Sequence, residues 1–464
     1  MWLLLFAFAF AVMADPVSSV AYAIEAALRA LDGHLDLLLI TMGTVLAIIW
    51  IVQVNYDQLI RRFPEGGGAV AATGMAFGEA WAFLPLGALI VDFVLTIAIS
   101  VAAAASAAIA FVPSLAPNRT LLAVLLCGAV AGLTWFGHYG RTVFASMTLL
   151  FVAVAIPIVA IGALAPHAEG TAAVGGSVDA STWTVLLAFP VAMALATGVE
   201  APSSAIAQLG QLDDRGRIRS GRITLWLTFA IVGTLTLALV GLAIGLRVGV
   251  PRGDSTLIAD VAEHAVGRGA LFASFQLASA LLLLAAASSS FQAGPGLLKA
   301  LAQREGATGE GVGILAPGLG RTNRHHTPHW SVVVYLAASA AVVVAARGRE
   351  QELVLFYAVS VFLSFLCGLL AMARFSLRER SAYHAAVNLV GAVAVLFTLA
   401  VNLRRGYPIA SLAASLLLAL VFFWLWDRAG RPRGVAQAER VMEVEVGETV
   451  AAADPDVSDE PSAP

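Results

Sequence analysis

The sequence predicts an all-α polytopic membrane protein with about twelve transmembrane helices, on three observations. Of its 464 residues, 59% are hydrophobic and 12% are charged, whereas soluble proteins average about 45–50% and 25%. Apolar stretches of about 20 residues, the length of a span, recur along almost the whole chain. The polar connections between them are short. This composition excludes a soluble enzyme, and a net charge of −3 gives no reason to expect a nucleic-acid partner.

Hydropathy places the twelve segments in order along the chain. They lie approximately at 3–31, 35–55, 78–112, 119–137, 142–165, 183–206, 222–247, 268–300, 330–346, 352–374, 384–402 and 407–426. The first begins MWLLLFAFAFAVMA, which lacks a basic region and continues into a second apolar half. These features favour a span over a cleaved secretory signal.

The distribution of charge predicts the orientation and the domain boundary. An N-terminus on the inside assigns 18 of the 27 lysines and arginines to the cytoplasmic side, so both termini are expected in the cytoplasm. Residues 1–426 form the predicted transmembrane domain. Residues 427–464 pass from a basic stop into an acidic stretch that ends in proline, a composition typical of a disordered tail.

Polar residues inside three apolar segments are the candidate functional groups, because an ionisable residue at the centre of a span costs roughly 2.5–3.5 kcal/mol. In segment 1, Asp15 is followed by Pro16, which has no amide hydrogen, so we expect an unwound stretch between two half-helices. In segment 3, Asp92, Thr96 and Ser100 recur every four residues and therefore share one helix face.

The third polar segment is FPVAMALATGVEAPSS in segment 6, where Thr197, Gly198 and Glu200 precede Pro202. This is again the composition of a broken helix. Segments 1 and 6 are five segments apart, and matching breaks in two halves of a transporter indicate a binding site at an inverted-repeat interface. The predicted architecture is a LeuT-like five-plus-five inverted repeat with broken helices 1 and 6, followed by two extra helices.

These groups are carboxylates, hydroxyls and bare carbonyls, which are hard oxygen donors suited to an alkali cation or a proton. Cys127 and Cys367 lie in apolar runs, and His325, His326 and His329 have no acidic or cysteine neighbours. We therefore expect no transition-metal site and no cofactor. Two other hypotheses stay open, an amino-acid permease coupled to protons or sodium through Asp15, Glu200 and residues 288–290, and a structural or sensor protein.

At these residues the sequence resembles the amino acid-polyamine-organocation (APC) superfamily, and within it the KUP-type, KimA-like high-affinity potassium importers. The similar motifs are DPVSSVAY at 15–22, FPEGGGA at 63–69, VDFVLTIAIS at 91–100, TGVEA at 197–201 and YAVSVFLSF at 357–365. The resemblance implies import of potassium with protons by alternating access, in a bacterial inner membrane, without enzyme activity.

The resemblance also implies the roles of individual residues. Glu200 is the candidate for proton coupling, and the potassium ligands are Asp15, Tyr22, Asp92, Thr96, Ser100, Thr197 and Tyr357. The expected partners are potassium, protons and the lipid bilayer, and a homodimer stays open. Relatives of this type usually carry a large cytoplasmic C-terminal domain that binds a cyclic dinucleotide, whereas about 38 residues follow the last predicted span. The resemblance therefore does not extend to nucleotide regulation or to a dimer built through that domain, and both stay open.

Overall fold

The structure is a computed structural model that describes residues 2–136, 141–175, 182–251, 254–303, 312–404 and 409–444. All regular elements in these ranges are helical. The seventeen α-helices are α1 Trp2–Val12, α2 Ala14–Ser18, α3 Val20–Ala30, α4 Leu35–Arg62, α5 Gly68–Phe77, α6 Phe83–Phe111, α7 Arg119–Trp135, α8 Arg141–Leu164, α9 Thr182–Ala192, α10 Ala201–Ala205, α11 Asp214–Gly245, α12 Leu257–Val266, α13 Ala270–Ala302, α14 His329–Ala345, α15 Glu350–Arg378, α16 Ala382–Arg404 and α17 Ile409–Arg428.

Each of the twelve predicted segments coincides with a helix or a broken helix. Among the described residues, ten helical segments are long and apolar enough to cross a membrane. The other two predicted segments differ in form. Segment 1 is divided into α1, α2 and α3, and α14 has 17 residues, which give a length of about 25 Å.

Helix α6 lies at the centre of the bundle, where it packs against α13, α15 and α17. The apolar stretch of this span is 89% buried, so α6 contacts protein on almost all sides. Gly87 permits the close approach of α17, because a Cβ atom there would lie 2.5 Å from the carbonyl oxygen of Ser415. Small residues commonly allow such approach between membrane helices. The centre of the bundle therefore positions Asp92, which is carried by α6.

The outer surface of the bundle is apolar. Large side chains such as Leu125, Ile156 and Leu417 are each about 60% exposed. An exposed apolar surface of this kind marks an interaction with lipid or protein. With the length of the helices, it identifies an integral membrane protein.

The chain beyond α17 differs from the predicted disordered tail over its first part. Val435, Ala436 and Met442 are buried against the bundle, because glycines on α5 and α13 leave room for this part of the chain. Residues 445–464, the rest of the predicted tail, lie outside the described residues. We call the side of the bundle that carries residues 434–444 the tail face, and the side where α3 ends and α15 begins the opposite face.

Candidate functional site

The break in segment 1 is centred on Asp15 and Pro16. Helices α1, α2 and α3 are separated by Met13 and Ser19, and both of these residues keep a right-handed helical backbone. The segment is therefore interrupted and not drawn out into the unwound stretch that the sequence predicts. Hydroxyl groups satisfy the local carbonyls, since Ser18 Oγ donates to Asp15 O at 2.7 Å and Ser19 Oγ donates to Pro16 O at 2.7 Å.

The break in segment 6 is more pronounced. Helix α9 continues as a 3₁₀ turn over Met193–Ala196, and Thr197 is then extended, with φ −56° and ψ 132°. Gly198 follows with φ +70°, a left-handed conformation that costs other residues roughly 1–2 kcal/mol. The helix resumes at Ala201. The Thr197 hydroxyl donates to the carbonyl oxygen of Ala194 at 2.7 Å, which fixes the turn.

The two breaks contact each other directly. A Cβ atom on Gly198 would lie 2.7 Å from Asp15 Oδ2 and 2.8 Å from Pro16 Cδ. The carboxylate of Asp15 therefore rests on the bare backbone of Gly198. On the side toward the opposite face, Tyr22 Oη donates to Thr197 Oγ1 at 3.4 Å, and Ser19 Oγ, which shares its hydrogen with Pro16 O, lies 3.1 Å from Leu195 O. These contacts join segment 1 to segment 6 on both sides of the break.

A cavity of about 130 Å³ opens between the breaks and helices α6 and α13. This volume can hold several water molecules. Its lining contains the carboxylates of Asp15, Asp92 and Glu200, and no lysine, arginine or histidine among the described residues that line it. Two of the carboxylate oxygens, Asp15 Oδ1 and Glu200 Oε2, are buried and accept no hydrogen bond. The cavity is therefore strongly acidic and offers free oxygen ligands.

The structure brings together only part of the predicted site. Thr96 and Ser100 are buried farther along α6, toward the opposite face, and neither lines the cavity. Tyr22 and Thr197 lie just beyond it and contact each other. The side chain of Tyr357 lies outside the described residues. The three predicted acidic residues share the cavity, whereas the predicted hydroxyl ligands lie outside it or are not described.

Several residues line the cavity that the sequence-based site left out: Ser204, Gln208, Ser289, Ser290, Gln292, Glu439 and Glu443. One signal was present in the sequence. Glu200, Ser204 and Gln208 are spaced four residues apart, which places them on one helical face. Nothing in the sequence indicates that Glu439 and Glu443 lie beside these residues, since each is 235 residues from its partner, Ser204 or Gln208.

Charged side chains pair with one another at the opposite face. Glu25 accepts a hydrogen bond from Arg29 at 2.8 Å. Glu350 accepts one from Ser106 at 2.6 Å and lies 3.6 Å from Arg119. Just inside them, Gln351 of α15 donates to the backbone oxygen of Tyr22 at 3.4 Å. The same charged residues line a polar cavity of about 340 Å³ at the opposite face.

The chemistry of the cavity is defined by its oxygen atoms. Within the described ranges, no group of three or more histidine, cysteine, aspartate or glutamate side chains has the geometry to hold a metal ion. The carboxylates of Asp15, Asp92 and Glu200 share one cavity with the side chains of Ser289 and Ser290. Carboxylate and hydroxyl oxygens are ligands for a hard cation and acceptors for a proton.

The fold and the site together define an integral membrane transporter with a central polar cavity between two broken helices. The chain belongs to the amino acid permease family of the APC superfamily, whose family model matches residues 2–426. It is similar to the "Potassium transporter KimA" of Bacillus subtilis (strain 168), with 27% identity over 368 residues. The match covers 76% of this chain and 58% of that relative's length.

Proposed function

We propose that the protein is a secondary active transporter that imports potassium by proton symport through alternating access. The observation that carries the proposal is the cavity between the two breaks, where Asp15, Asp92 and Glu200 face one space without a basic residue among the described lining. Burying a carboxylate charge costs several kcal/mol unless a partner compensates it. A desolvated cation is the partner that such a cavity would stabilise.

The contact between Asp15 and Gly198 argues against an anionic or zwitterionic substrate at this point. In broken-helix transporters a substrate carboxylate usually binds at exposed backbone amides of the half-helices. Here the carboxylate of Asp15 already rests against the glycine of the segment 6 break, and Pro16 has no amide hydrogen to offer. A substrate carboxylate in this position would meet a like charge.

Separate residues serve the two ions in this proposal. Asp15 and Asp92 hold the cation, and Glu200 at the end of the segment 6 break takes up and releases the proton. Tyr22, Thr96, Ser100, Thr197 and Tyr357 remain proposed ligands from the family resemblance. Thr96 and Ser100 continue the polar face of α6 toward the opposite face, where an entering cation would pass them. We place the tail face in the cytoplasm and the protein in a bacterial inner membrane, in agreement with the distribution of basic residues.

With the tail face in the cytoplasm, the structure corresponds to a conformation that is closed toward the outside. The contact between Tyr22 and Thr197 lies between the cavity and the opposite face, and at that face Arg119 of α7 pairs with Glu350 of α15. The cavity itself extends toward Ser204 and Gln208 near the tail face. In the transport cycle these outer contacts would have to separate before a cation could enter from outside.

A second candidate is an amino-acid permease coupled to protons or sodium. The family model that matches this chain is that of amino acid permeases, and Ser289 and Ser290 line the cavity, where hydroxyls could bind sodium. In this alternative, Asp15 and Glu200 would serve coupling and a neutral part of the cavity would accept the substrate.

Purified protein in liposomes separates the two candidates. We expect an inward potassium gradient to drive uptake of a potassium tracer, an imposed inward proton gradient to accelerate it, and unlabelled potassium to compete more strongly than sodium. Complementation of a potassium-uptake-deficient bacterium in low-potassium medium provides a cellular check. Labelled amino acids entering the same liposomes, with no potassium flux, would favour the second candidate. The absence of both fluxes would contradict a transport function.

A further inference from the structure

The segment after the last span, residues 434–444, folds back onto the tail face; we call it the tail segment. It begins with a 3₁₀ turn at Val435–Gln437 and continues helically to residue 444. Glu79 accepts hydrogen bonds from the backbone amides of Gly434 and Val435 at 3.0 and 3.1 Å. A carboxylate at the start of a helical turn is favourable, because the free amides there carry partial positive charge. The start of the tail segment is thereby fixed beside α6.

The principal anchor of the tail segment is Glu439, which is 4% exposed. Its carboxylate accepts a hydrogen bond from Ser204 Oγ at 2.5 Å and another from the backbone amide of Val70. Val70 belongs to the first turn of α5, so the carboxylate binds where a helix offers unpaired amides. A Cβ atom on Gly68 would lie 2.7 Å from Glu439 Oε1. The glycine-rich stretch at 66–68 therefore provides the space that Glu439 occupies.

Two further contacts fit the tail segment to neighbouring helices. A Cβ atom on Gly74 would lie 2.5 Å from Ala436 Cβ, and one on Gly296 would lie 3.0 Å from Met442 Cγ. A larger residue at Gly74 would displace the tail segment, whereas one at Gly296 would require only a small shift of the flexible Met442 side chain. Near its end, Glu443 accepts a hydrogen bond from Gln208 Nε2 at 2.6 Å. Glycines on α5 and α13 leave room for this segment, and Ser204 on α10 binds it by a hydrogen bond.

The tail segment also forms part of the acidic cavity. Glu439, Met442 and Glu443 line the same space as Asp15 and Glu200. A cation at Asp15 that moved toward the tail face would thus meet the tail segment. Its anchors are hydrogen bonds, apolar contacts and the ion pair between Arg440 and Glu65, so it can leave without breaking a covalent bond.

We propose that the tail segment is an internal plug that closes the tail-face mouth of the cation cavity and must leave its seat before a cation can pass. This inference rests on the proposed function, of which it names a regulatory element. Glu439 and Glu443 hold the plug in place by their hydrogen bonds to Ser204 and Gln208. Release of the tail segment opens the cavity to the tail face, and docking closes it.

A reversible crosslink tests the plug directly. The Cβ positions of residues 296 and 442 lie 4.0 Å apart, within the range of disulfides. The variant is Gly296→Cys with Met442→Cys, in a background where the two native cysteines are replaced by alanine. We expect oxidation to lower the rate of potassium uptake about tenfold or more, and a reducing agent to restore it.

The controls for the crosslink are the two single-cysteine proteins, which should transport at the same rate before and after oxidation. Formation of the disulfide is checked by mass spectrometry of the peptide that joins positions 296 and 442. Crosslinked protein that transports as fast as the reduced protein would overturn the proposal, because a fixed tail segment would then leave the path open.

A second experiment does not depend on transport. A stop codon after Arg433 removes the tail segment, and a stop codon after residue 444 keeps it as the matched control. Ser290→Cys, in the background without native cysteines, reports access to the cavity through its reaction with a membrane-impermeant thiol reagent applied to the tail face. We expect the reaction to be at least several-fold faster in the protein that ends at Arg433.

The results of the two experiments separate the two hypotheses. If removal of the tail segment leaves the reaction rate at Ser290→Cys unchanged, the plug hypothesis is wrong, whichever substrate the protein transports. If that rate rises but no variant, including the reduced crosslinking variant, takes up potassium, the plug is supported and the proposed function fails. Thermal unfolding of each variant in detergent verifies that the compared proteins are folded.

Discussion

The contact between the two broken helices makes Gly198→Ala the most informative single substitution. An added Cβ would lie 2.7 Å from Asp15 Oδ2, so the carboxylate would have to move by about 0.7 Å to reach an ordinary contact distance of about 3.4 Å. For a cation about 3 Å from that oxygen, such a change in separation alters the attraction by about 1 kcal/mol at an effective dielectric constant of about 20. This corresponds to about a fivefold rise in the concentration of potassium that gives half-maximal uptake.

The same substitution also acts on stability. The left-handed backbone at Gly198, with φ +70°, costs an alanine roughly 1–2 kcal/mol, so the unfolding temperature should fall as well. Uptake is measured in liposomes over a range of potassium concentrations, and unfolding is followed in detergent. Gly128→Ala is the matched control, because no atom lies within 4 Å of the added Cβ. If folded Gly198→Ala shows the parental dependence of uptake on potassium concentration, the inferred role of the contact between Asp15 and Gly198 in cation binding is refuted.

Three further predictions concern single carboxylates. Asp92→Asn should leave folded protein with potassium uptake below about a tenth of the parental rate, and uptake at the parental rate would remove Asp92 from the mechanism. Glu200→Gln should transport potassium without responding to an imposed pH gradient; a retained response would return Glu200 to a structural role. Burial raises the pKa of Glu439 above its ordinary value, so the docked tail segment binds a proton more readily than the free one, and docking weakens as pH rises through that raised pKa. Hydrogen exchange of residues 434–444 should therefore lose protection with rising pH relative to Glu439→Gln at the same pH, and equal protection in the two proteins at every pH would contradict this. Among the described residues, the ionisable groups near this carboxylate include Tyr56, Glu65, Glu200, Arg440 and Glu443.

Hydropathy alone located the ten helical segments that, among the described residues, are long and apolar enough to cross a membrane. The predicted segments at 78–112 and 183–206 correspond to the described segments Glu79–Phe111 and Trp183–Gln208. The reason is physical, since a helix in lipid must satisfy its own backbone hydrogen bonds and present about 20 apolar residues. Both conditions are local, and both are visible in the sequence.

Part of the site could be predicted for a similar reason. An acidic residue in an apolar run is conspicuous, and Asp15, Asp92 and Glu200 were identified in this way and line one cavity. The hydroxyl ligands were less predictable. The spacing of Thr96 and Ser100 fixes their helix face but not how far along the helix the cavity extends, and that depends on where the two breaks meet.

The sequence analysis also did not predict how far each of the two breaks departs from a helix. Proline and serines predicted a break after Asp15, yet Met13 and Ser19 stay helical because Ser18 and Ser19 hydroxyls satisfy the carbonyls of Asp15 and Pro16. In segment 6 the left-handed Gly198 produces a sharper turn. Residues 13–22 contain no glycine, so the backbone of the first break stays right-handed, and only the second break has a left-handed turn.

By itself the sequence determined that this chain is a bundle of membrane helices with acidic groups in two interrupted segments, because insertion into lipid constrains each segment independently. Only the tertiary structure decided which groups share a cavity and what closes it. The tail segment illustrates the difference. Its composition resembles that of a disordered tail, but Glu439 finds a hydroxyl on α10 and free amides on α5, partners that exist only once distant parts of the chain have packed together.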